Sequence, residues 1–140
     1  MIRIEKIDKY EWAKMSEKAH LICFKELRAA HMDRIDFALL GVKDGIVQHY
    51  CTVKELDFES CYWQYGGQFP SAKDHLSVSS YKDMAEWCFN EGYKRVTTYI
   101  QNTNSAMMRI ALKVGFIIVG VRYFHGEVYV EFLLEKNEQP

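Results

Sequence analysis

The sequence predicts an α/β fold in which a mixed, mostly antiparallel sheet carries helices on both faces. Three patterns support this prediction: a helix joined to a strand by one glycine at Gly115, Asp44-Gly45 between two apolar runs, and His125-Gly126 between two more. Asp-Gly between such runs is a strong hairpin signal. With the periodic segments around them, these patterns give the order β-α-β-β-β-α-β-α-β-β. We expect one domain over residues 1–140, with a frayed tail at 136–140.

The first half of the chain contains a helix between strands. Ile2 and Ile4 alternate with charged residues, as a first strand would, and Asp8 suits the N-cap of a long helix. Gly66-Gly67 is expected to end or bulge the fourth strand, because glycine weakens strand interiors. The predicted elements are thus a first strand, a helix from Asp8 to about residues 29–32, a hairpin (Phe37 to Val42 and Ile46 to Val53) and a fourth strand (Ser60 to Tyr65).

The second half alternates helices and strands. Val78, Tyr81, Ala85 and Cys88 recur at helical spacing, and Asn90-Glu91-Gly92 closes that helix. His125-Gly126 makes the last two strands a terminal hairpin. The predicted elements here are the helix from Val78, a strand (Lys94 to Gln101), a short helix after Asn104, and two strands (Phe116 to Phe124 and Glu127 to Glu135).

The stretch from Asn102 to Gly120 is the most specific part of the chain. Asn102 and Asn104 break the preceding strand, and Asn104 or Ser105 can N-cap the helix that follows. Gly115 stops this helix where a left-handed residue is needed. A strand therefore starts immediately, at Phe116.

This stretch resembles the C-terminal half of the GNAT (GCN5-related) N-acetyltransferase superfamily. In that family an asparagine follows the fifth strand, and a short helix ends in Gly-Phe, here Gly115-Phe116. The resemblance implies transfer of an acetyl group from acetyl-CoA directly to a primary amine. Small-molecule amines, protein amines and modified nucleobases all stay open as acceptors, and the net charge of −1 favours a small molecule slightly.

The resemblance also implies where acetyl-CoA binds. The family holds the cofactor pyrophosphate on backbone amides at the start of the helix after the fourth strand. The usual Gln/Arg-x-x-Gly-x-Gly/Ala motif is missing here, because the corresponding segment from Lys73 to Ser79 has no glycine. Charge and hydroxyl donors could compensate, and the asparagines after the fifth strand either contact the pantetheine arm or only order the turn. The candidate cofactor residues are Tyr65, Gly66, Lys73, His75, Ser77, Ser79, Asn102 and Asn104.

The residues for proton transfer are less well defined. Many relatives place a tyrosine four residues before Gly-Phe to protonate the leaving thiolate, and here that position is Ala111. Tyr65 and Tyr123 are the candidate replacements, although each also fits a packed aromatic. Candidates for the base, His49, Glu55 and Glu59, flank the third and fourth strands. No metal site is expected, because the cysteines and histidines lack a recognised ligand spacing.

Other functions fit the same residues. The missing glycines and Ala111 also suit a GNAT-like binding module that has lost the cofactor site, or an enzyme using another acyl donor, as in phage proteins that modify nucleobases. A partner strand could also bind at the seam where the fourth and fifth strands of this fold splay apart. The neutral charge gives nucleic-acid binding no support.

Location and assembly are expected from the same reading. The N-terminus has no signal-peptide pattern and no window reaches membrane-spanning length, which predicts a cytoplasmic protein without a membrane partner. The resemblance implies a homodimer through the terminal hairpin, where Val128, Val130 and Phe132 alternate with polar residues.

Overall fold

The computed structural model describes residues 2–15, 35–69 and 78–137. Within them the elements follow the predicted order, and the fold is the predicted mixed α/β fold. The expected end of the first helix, at residues 29–32, lies outside the described residues. The strands are β1 (Arg3–Asp8), β2 (Phe37–Lys43), β3 (Ile46–Asp57), β4 (Ser60–Gln68), β5 (Arg95–Gln101), β6 (Ile117–Phe124) and β7 (Glu127–Glu135). The helices are α1, described over 9–15, α2 (Val78–Asn90) and α3 (Ser105–Val114).

The chain divides into two compact units. Unit 1 is drawn from Met1–Glu55 and Trp63–Leu76, and unit 2 from Leu56–Tyr62 and Ser77–Pro140. The turn between β3 and β4 therefore belongs to unit 2, and most of both strands belongs to unit 1.

Unit 1 is built from β1, β2, β3 and most of β4, in that order along the sheet. β2 is antiparallel to both β1 and β3. The predicted hairpin turn is confirmed, because Asp44 and Gly45 have φ angles of 54° and 75°, which a two-residue turn of this kind requires. The predicted N-cap is confirmed as well, since the Glu11 N–H donates to Asp8 Oδ1 at 2.8 Å.

The core of unit 1 explains why β4 is longer than predicted. Tyr50 is buried between Trp12 and Phe69, with ring centroids 4.7 and 5.5 Å away. Its ring lies so close to Gly67 that a Cβ there would be 2.9 Å from the Tyr50 hydroxyl. Of the two outcomes predicted for Gly66-Gly67, a strand end at Tyr65 is wrong, because β4 continues to Gln68 and Gly67 accommodates this ring within the strand. A bulge there stays a prediction.

Unit 2 contains the C-terminal three strands in the order β5-β7-β6, all antiparallel, so that β7 lies between the other two. Helix α2 packs against α3 and β5. The turn between β3 and β4 is hydrogen-bonded to the start of β5. The Glu59 carbonyl accepts hydrogen bonds from the N–H groups of Lys94 and Arg95 at 2.6 and 2.9 Å. Residues fully buried in this unit include Met84, Cys88, Val96 and Phe132.

Both described helices of unit 2 end in the same way. The N–H groups of Tyr93 and Phe116 donate back to the carbonyls of Cys88 and Ala111, five residues earlier, at 3.1 and 3.0 Å. This bond marks a Schellman motif, whose preceding residue is left-handed. Gly92 and Gly115 fill that place with φ angles of 109° and 119°, which confirms both predicted helix stops.

Among the described residues, no helix is long and apolar enough to cross a membrane. Three of the four cysteines, Cys51, Cys61 and Cys88, are buried free thiols, and Cys23 lies outside the described residues.

Candidate functional site

The turn between β5 and α3 holds both predicted asparagines. The backbone N–H of Asn102 donates to the Val128 carbonyl at 2.9 Å, which fixes the turn to β7. Asn104 Oδ1 accepts the Met107 N–H at 3.2 Å and so N-caps α3 as predicted. Because this oxygen serves the helix, a ligand contact by Asn104 would use the NH₂ end of the same exposed side chain.

Tyr123 lies in the same row of the sheet as this turn. It pairs with Val128 across β6 and β7, and Val128 in turn accepts the Asn102 N–H. Two strand spacings separate the backbones of Tyr123 and Asn102, which amounts to roughly 10 Å. Tyr123 is 73% exposed, however, so unit 2 by itself does not enclose the proposed proton donor.

The start of α2 is the predicted pyrophosphate site. The helix begins at Val78, so Ser79 stands in its first turn, with an exposed side chain. No acidic residue is present in that turn, and the positive end of the helix is therefore not neutralised from within. Lys73, His75 and Ser77 lie outside the described residues.

Tyr65 and Gly66 belong to β4 in unit 1. Gly66 is exposed, and for Tyr65 the structure describes the backbone alone. The predicted residues are thus divided between the units: unit 2 brings Asn102, Asn104 and Tyr123 to one end of its sheet and places Ser79 at the start of α2.

The environments of the candidate acid and base positions differ. Ala111 is buried, with 1% of its surface exposed, so no proton donor stands at that helix position. His49 is also 1% exposed, and its imidazole packs against the backbone of Gly41. The Glu59 carboxylate forms ion pairs with Lys94 and Arg95 at 3.4 and 3.3 Å. Of the three base candidates, Glu55 is exposed, and the Glu59 side chain is partly exposed but engaged in these ion pairs.

In the described ranges, no three histidine, cysteine or acidic side chains come together in an arrangement that could hold a metal ion.

A cluster around Tyr99 is a feature that the sequence did not indicate. Its ring makes an edge contact with Tyr62, at 5.5 Å between centroids, and the Arg122 guanidinium lies 5.1 Å above its centre. Burial and the nearby Glu131 carboxylate raise the Tyr99 pKa above its usual value of 10.0. Glycine at position 120, opposite Glu131 on β6, leaves room for this carboxylate. A Cβ on Gly120 would lie only 3.1 Å from Glu131 Oε1.

The Tyr99 cluster could not be found from periodicity. Its members come from four strands, and they meet only because β7 lies between β5 and β6 with a bulge between Ile118 and Gly120. Without the register, the sequence offers four unconnected polar residues.

No protein-family model and no curated protein sequence matches the chain. Many solved structures share its fold. The ribosomal-protein-S18-alanine N-acetyltransferase of Escherichia coli superposes with a TM-score of 0.75 at 9% identity, over 100% of this chain and 99% of that one. The spermidine/spermine N-acetyltransferase SpeG of Vibrio cholerae gives 0.73 at 8% identity, over 96% and 95%. A GNAT family acetyltransferase of Elizabethkingia anophelis, with acetyl-CoA bound, gives 0.66 at 14% identity, over 96% and 98%.

These superpositions cover nearly the whole of each chain at low sequence identity. They confirm the fold that the Asn102–Gly120 stretch predicts. The chain has the fold of the GNAT acetyltransferases.

Proposed function

We propose that the protein is an acetyl-CoA-dependent N-acetyltransferase that transfers the acetyl group directly to a primary amine. The observation that carries the proposal is the start of α2. The chain has the fold of solved acetyltransferases, and its α2 begins at Val78. The first turn of α2 contains Ser79 and no acidic residue. A helix N-terminus of this kind favours a pyrophosphate, because its N–H groups and dipole attract negative charge.

Acetyl transfer from a thioester to an amine requires little catalysis by side chains. A thioester is already activated, so the enzyme has to align it with the amine and remove a proton. In our proposal α2 holds the pyrophosphate through Ser77 and Ser79, with Lys73 and His75 adding positive charge and donors. Asn102 and Asn104 order the turn beside the pantetheine arm.

Tyr65 and Tyr123 are our proposed donors to the leaving thiolate, since Ala111 cannot donate a proton. Gly66 lets the backbone of β4 approach the cofactor beside Tyr65. Tyr123 is highly exposed in a single copy, and proton transfer to the thiolate would require a partner or the substrate to cover it.

The class of amine that accepts the acetyl group is the least constrained part of the proposal. The solved structures with this fold include enzymes named for a ribosomal-protein alanine and for spermidine and spermine, which are all amines of different size. With a net charge of −1, this chain has no general attraction for nucleic acid, and we propose a small-molecule amine before a protein amine. The cytoplasmic location stays a prediction, and so does a phage origin, with which the divergent cofactor segment is compatible. The proposal depends on neither.

The proposal is tested by titrating acetyl-CoA into the protein by calorimetry. We expect saturable binding, and we expect Ser79→Glu to weaken it roughly tenfold or more, because a carboxylate at the start of α2 repels the pyrophosphate. Asn90→Glu is the matched control, since it adds the same charge at the exposed far end of the same helix. It should leave the affinity unchanged.

Two results would contradict the proposal. Absence of binding at millimolar acetyl-CoA would mean that the missing glycines have removed the site. Equal losses in Ser79→Glu and Asn90→Glu would mean that binding follows net charge and not the helix terminus.

The buried Ala111 favours a second candidate function. A chain that lacks both the glycines and this proton donor could serve as a binding module with the same fold. This alternative predicts no acetyl-CoA binding and a partner protein instead.

A further inference from the structure

The Tyr99 cluster lies on the open face of the sheet in unit 2, and the proposed function does not use it. On one face of β5 and β7, Val96, Ile100 and Phe132 are buried. Tyr99 and Glu131 point to the opposite face, because side chains alternate along a strand. The structure describes β5, β6 and β7 in full, and no residue that they place on this second face is buried. A ligand can therefore reach the cluster from solvent.

Tyr99, Glu131 and Gly120 stand side by side in one row across these three strands. Tyr99 pairs with Glu131, and Glu131 pairs with Gly120. Because Gly120 has no side chain, the Glu131 carboxylate has room beside it. The Tyr62 ring meets the Tyr99 ring edge-on, with centroids 5.5 Å apart, and extends the row on the side of β4. A flat aromatic surface thus lies next to a negative charge.

Arg122 already places a cation on this surface. It belongs to the neighbouring row, where it pairs with Tyr129, yet its guanidinium carbon lies 5.1 Å from the centre of the Tyr99 ring. To reach Tyr99 on β5, the Arg122 side chain crosses β7, which spans two strand spacings or about 10 Å. The contact is a cation–π interaction, in which the negative face of an aromatic ring attracts a positive group. The position over Tyr99 therefore suits a guanidinium.

The contacts that hold Arg122 in this position are weak. Its side chain is exposed, and among the described residues no carboxylate forms an ion pair with it. A single exposed cation–π contact stabilises little, and fixing a long side chain in one conformation costs entropy. A free guanidinium could take this place over Tyr99. Because it is not tied to β6, it could also move closer to Glu131 than Arg122 does.

We propose that the Tyr99 cluster binds a small alkylguanidine, whose guanidinium replaces that of Arg122 over the Tyr99 ring and pairs with the Glu131 carboxylate. A planar guanidinium stacks on an aromatic ring and donates two parallel hydrogen bonds to a carboxylate, and this surface supplies both partners. One ring and one carboxylate match a single head group, which favours a small molecule over a protein. The homodimer expected at the terminal hairpin stays a prediction, and the site does not depend on it.

Within the proposed function this site names a class of acceptor, and that part of the inference rests on the proposed function. Three residues separate Tyr99 from Asn102, at the turn that we assign to the pantetheine arm, which is roughly 10 Å of extended chain. A ligand with its guanidinium over Tyr99 can extend its other end toward that turn. We therefore expect an acceptor such as agmatine, which has a primary amine at one end and a guanidinium at the other.

Titration with butylguanidine, followed by the NMR signals of backbone amides, tests the site without acetyl-CoA. We expect weak binding to the wild type, and at least roughly tenfold tighter binding to Arg122→Met, because the competing internal cation is gone. The shifted signals should centre on Tyr99 and Glu131. In the Arg122→Met background, Glu131→Gln should remove most of the added affinity, since a neutral amide of similar size replaces the carboxylate.

Two controls separate this effect from net charge and from shape. Arg109→Met removes the same charge from an exposed position of α3 and should bind butylguanidine as the wild type does. Butylurea is flat and neutral, and it should not bind to Arg122→Met. Far-UV circular dichroism checks that each variant is folded.

Equal affinities of the wild type and Arg122→Met for butylguanidine would overturn the site. Shifted signals far from β5 and β7, or equal binding of butylurea, would overturn it as well. None of these outcomes depends on acetyl transfer.

Steady-state kinetics with agmatine and butylamine test the acceptor class. We expect the KM of agmatine to be at least roughly tenfold lower, and Glu131→Gln to raise it toward that of butylamine with kcat unchanged. Equal KM values for the two amines would overturn the acceptor class and leave the guanidinium site intact. Absence of any acetyl transfer would contradict the proposed function, and with it the acceptor class, but not the site.

Discussion

At the scale of single residues, Gly41 shows how one atom can determine a packing arrangement. It pairs with His49 across β2 and β3, and the histidine is almost completely buried. A Cβ on Gly41 would overlap the imidazole and lie 2.9 Å from its Nε2. The buried histidine therefore requires glycine at this place in the neighbouring strand.

We predict that Gly41→Ala lowers the free energy of unfolding by about 1–3 kcal/mol, the usual cost of forcing extra volume into a packed core. The loss should shrink to under about 0.5 kcal/mol in a His49→Ala background, because the clash is then absent. Urea denaturation of the four proteins gives the coupling. Equal losses in both backgrounds would mean that the glycine acts through the backbone and not through His49.

Tyr99 gives a prediction on pH. Burial, then repulsion by Glu131, raise its pKa above 10.0 in the folded protein. The folded state thus favours the neutral phenol, and this contribution to stability is complete below pH 10 and is lost as pH rises through the folded pKa. Glu131→Gln should lower the Tyr99 pKa toward 10.

Phenolate absorbance checks this, with Tyr99→Phe identifying the Tyr99 part of a titration shared with eight other tyrosines. A Tyr99 pKa that does not change in Glu131→Gln would mean that burial alone raises it.

At the scale of elements, the sequence predicted the hairpin turn and the helix ends, because residues adjacent in sequence determine these features. Asp44-Gly45, Gly92 and Gly115 each occupy the left-handed conformation that their neighbours in sequence require. Gly67, by contrast, is determined by a residue far away in the sequence. The sequence suggested a strand end or a bulge there, but the glycine accommodates Tyr50 from another strand, and no pattern along the chain reveals that contact.

The N-cap of α3 can be separated from any role in cofactor binding. Asn104→Ala removes the bond to the Met107 N–H and should lower the free energy of unfolding by about 1 kcal/mol. Asn104→Ser keeps a capping oxygen and should restore most of that loss, but it has no NH₂ group for a ligand. If Asn104 also binds acetyl-CoA, Asn104→Ser remains weak in calorimetry while its thermal stability recovers. Recovery of both would assign Asn104 to the cap alone.

At the scale of the whole molecule, the order of elements could be predicted because each one has its own periodicity and stop signal. The candidate site could be predicted only in part. Asn104 was found through its place between a strand and a helix, whereas the Tyr99 cluster depends on the order β5-β7-β6 and on one bulge. The cofactor segment from Lys73 to Ser79 was the most difficult part to predict. Its usual glycines are replaced by residues whose backbone conformation the sequence does not determine.

The most direct test of acetyl transfer is to measure whether the protein releases free CoA from acetyl-CoA in the presence of primary amines. Thiol detection with a panel of small amines, and with tertiary amines of similar size as controls, reports the reaction itself. Direct acetyl transfer predicts CoA release that requires a primary amine and that falls in Ser79→Glu but not in Asn90→Glu. Release without amine dependence, or none in spite of acetyl-CoA binding, would contradict it.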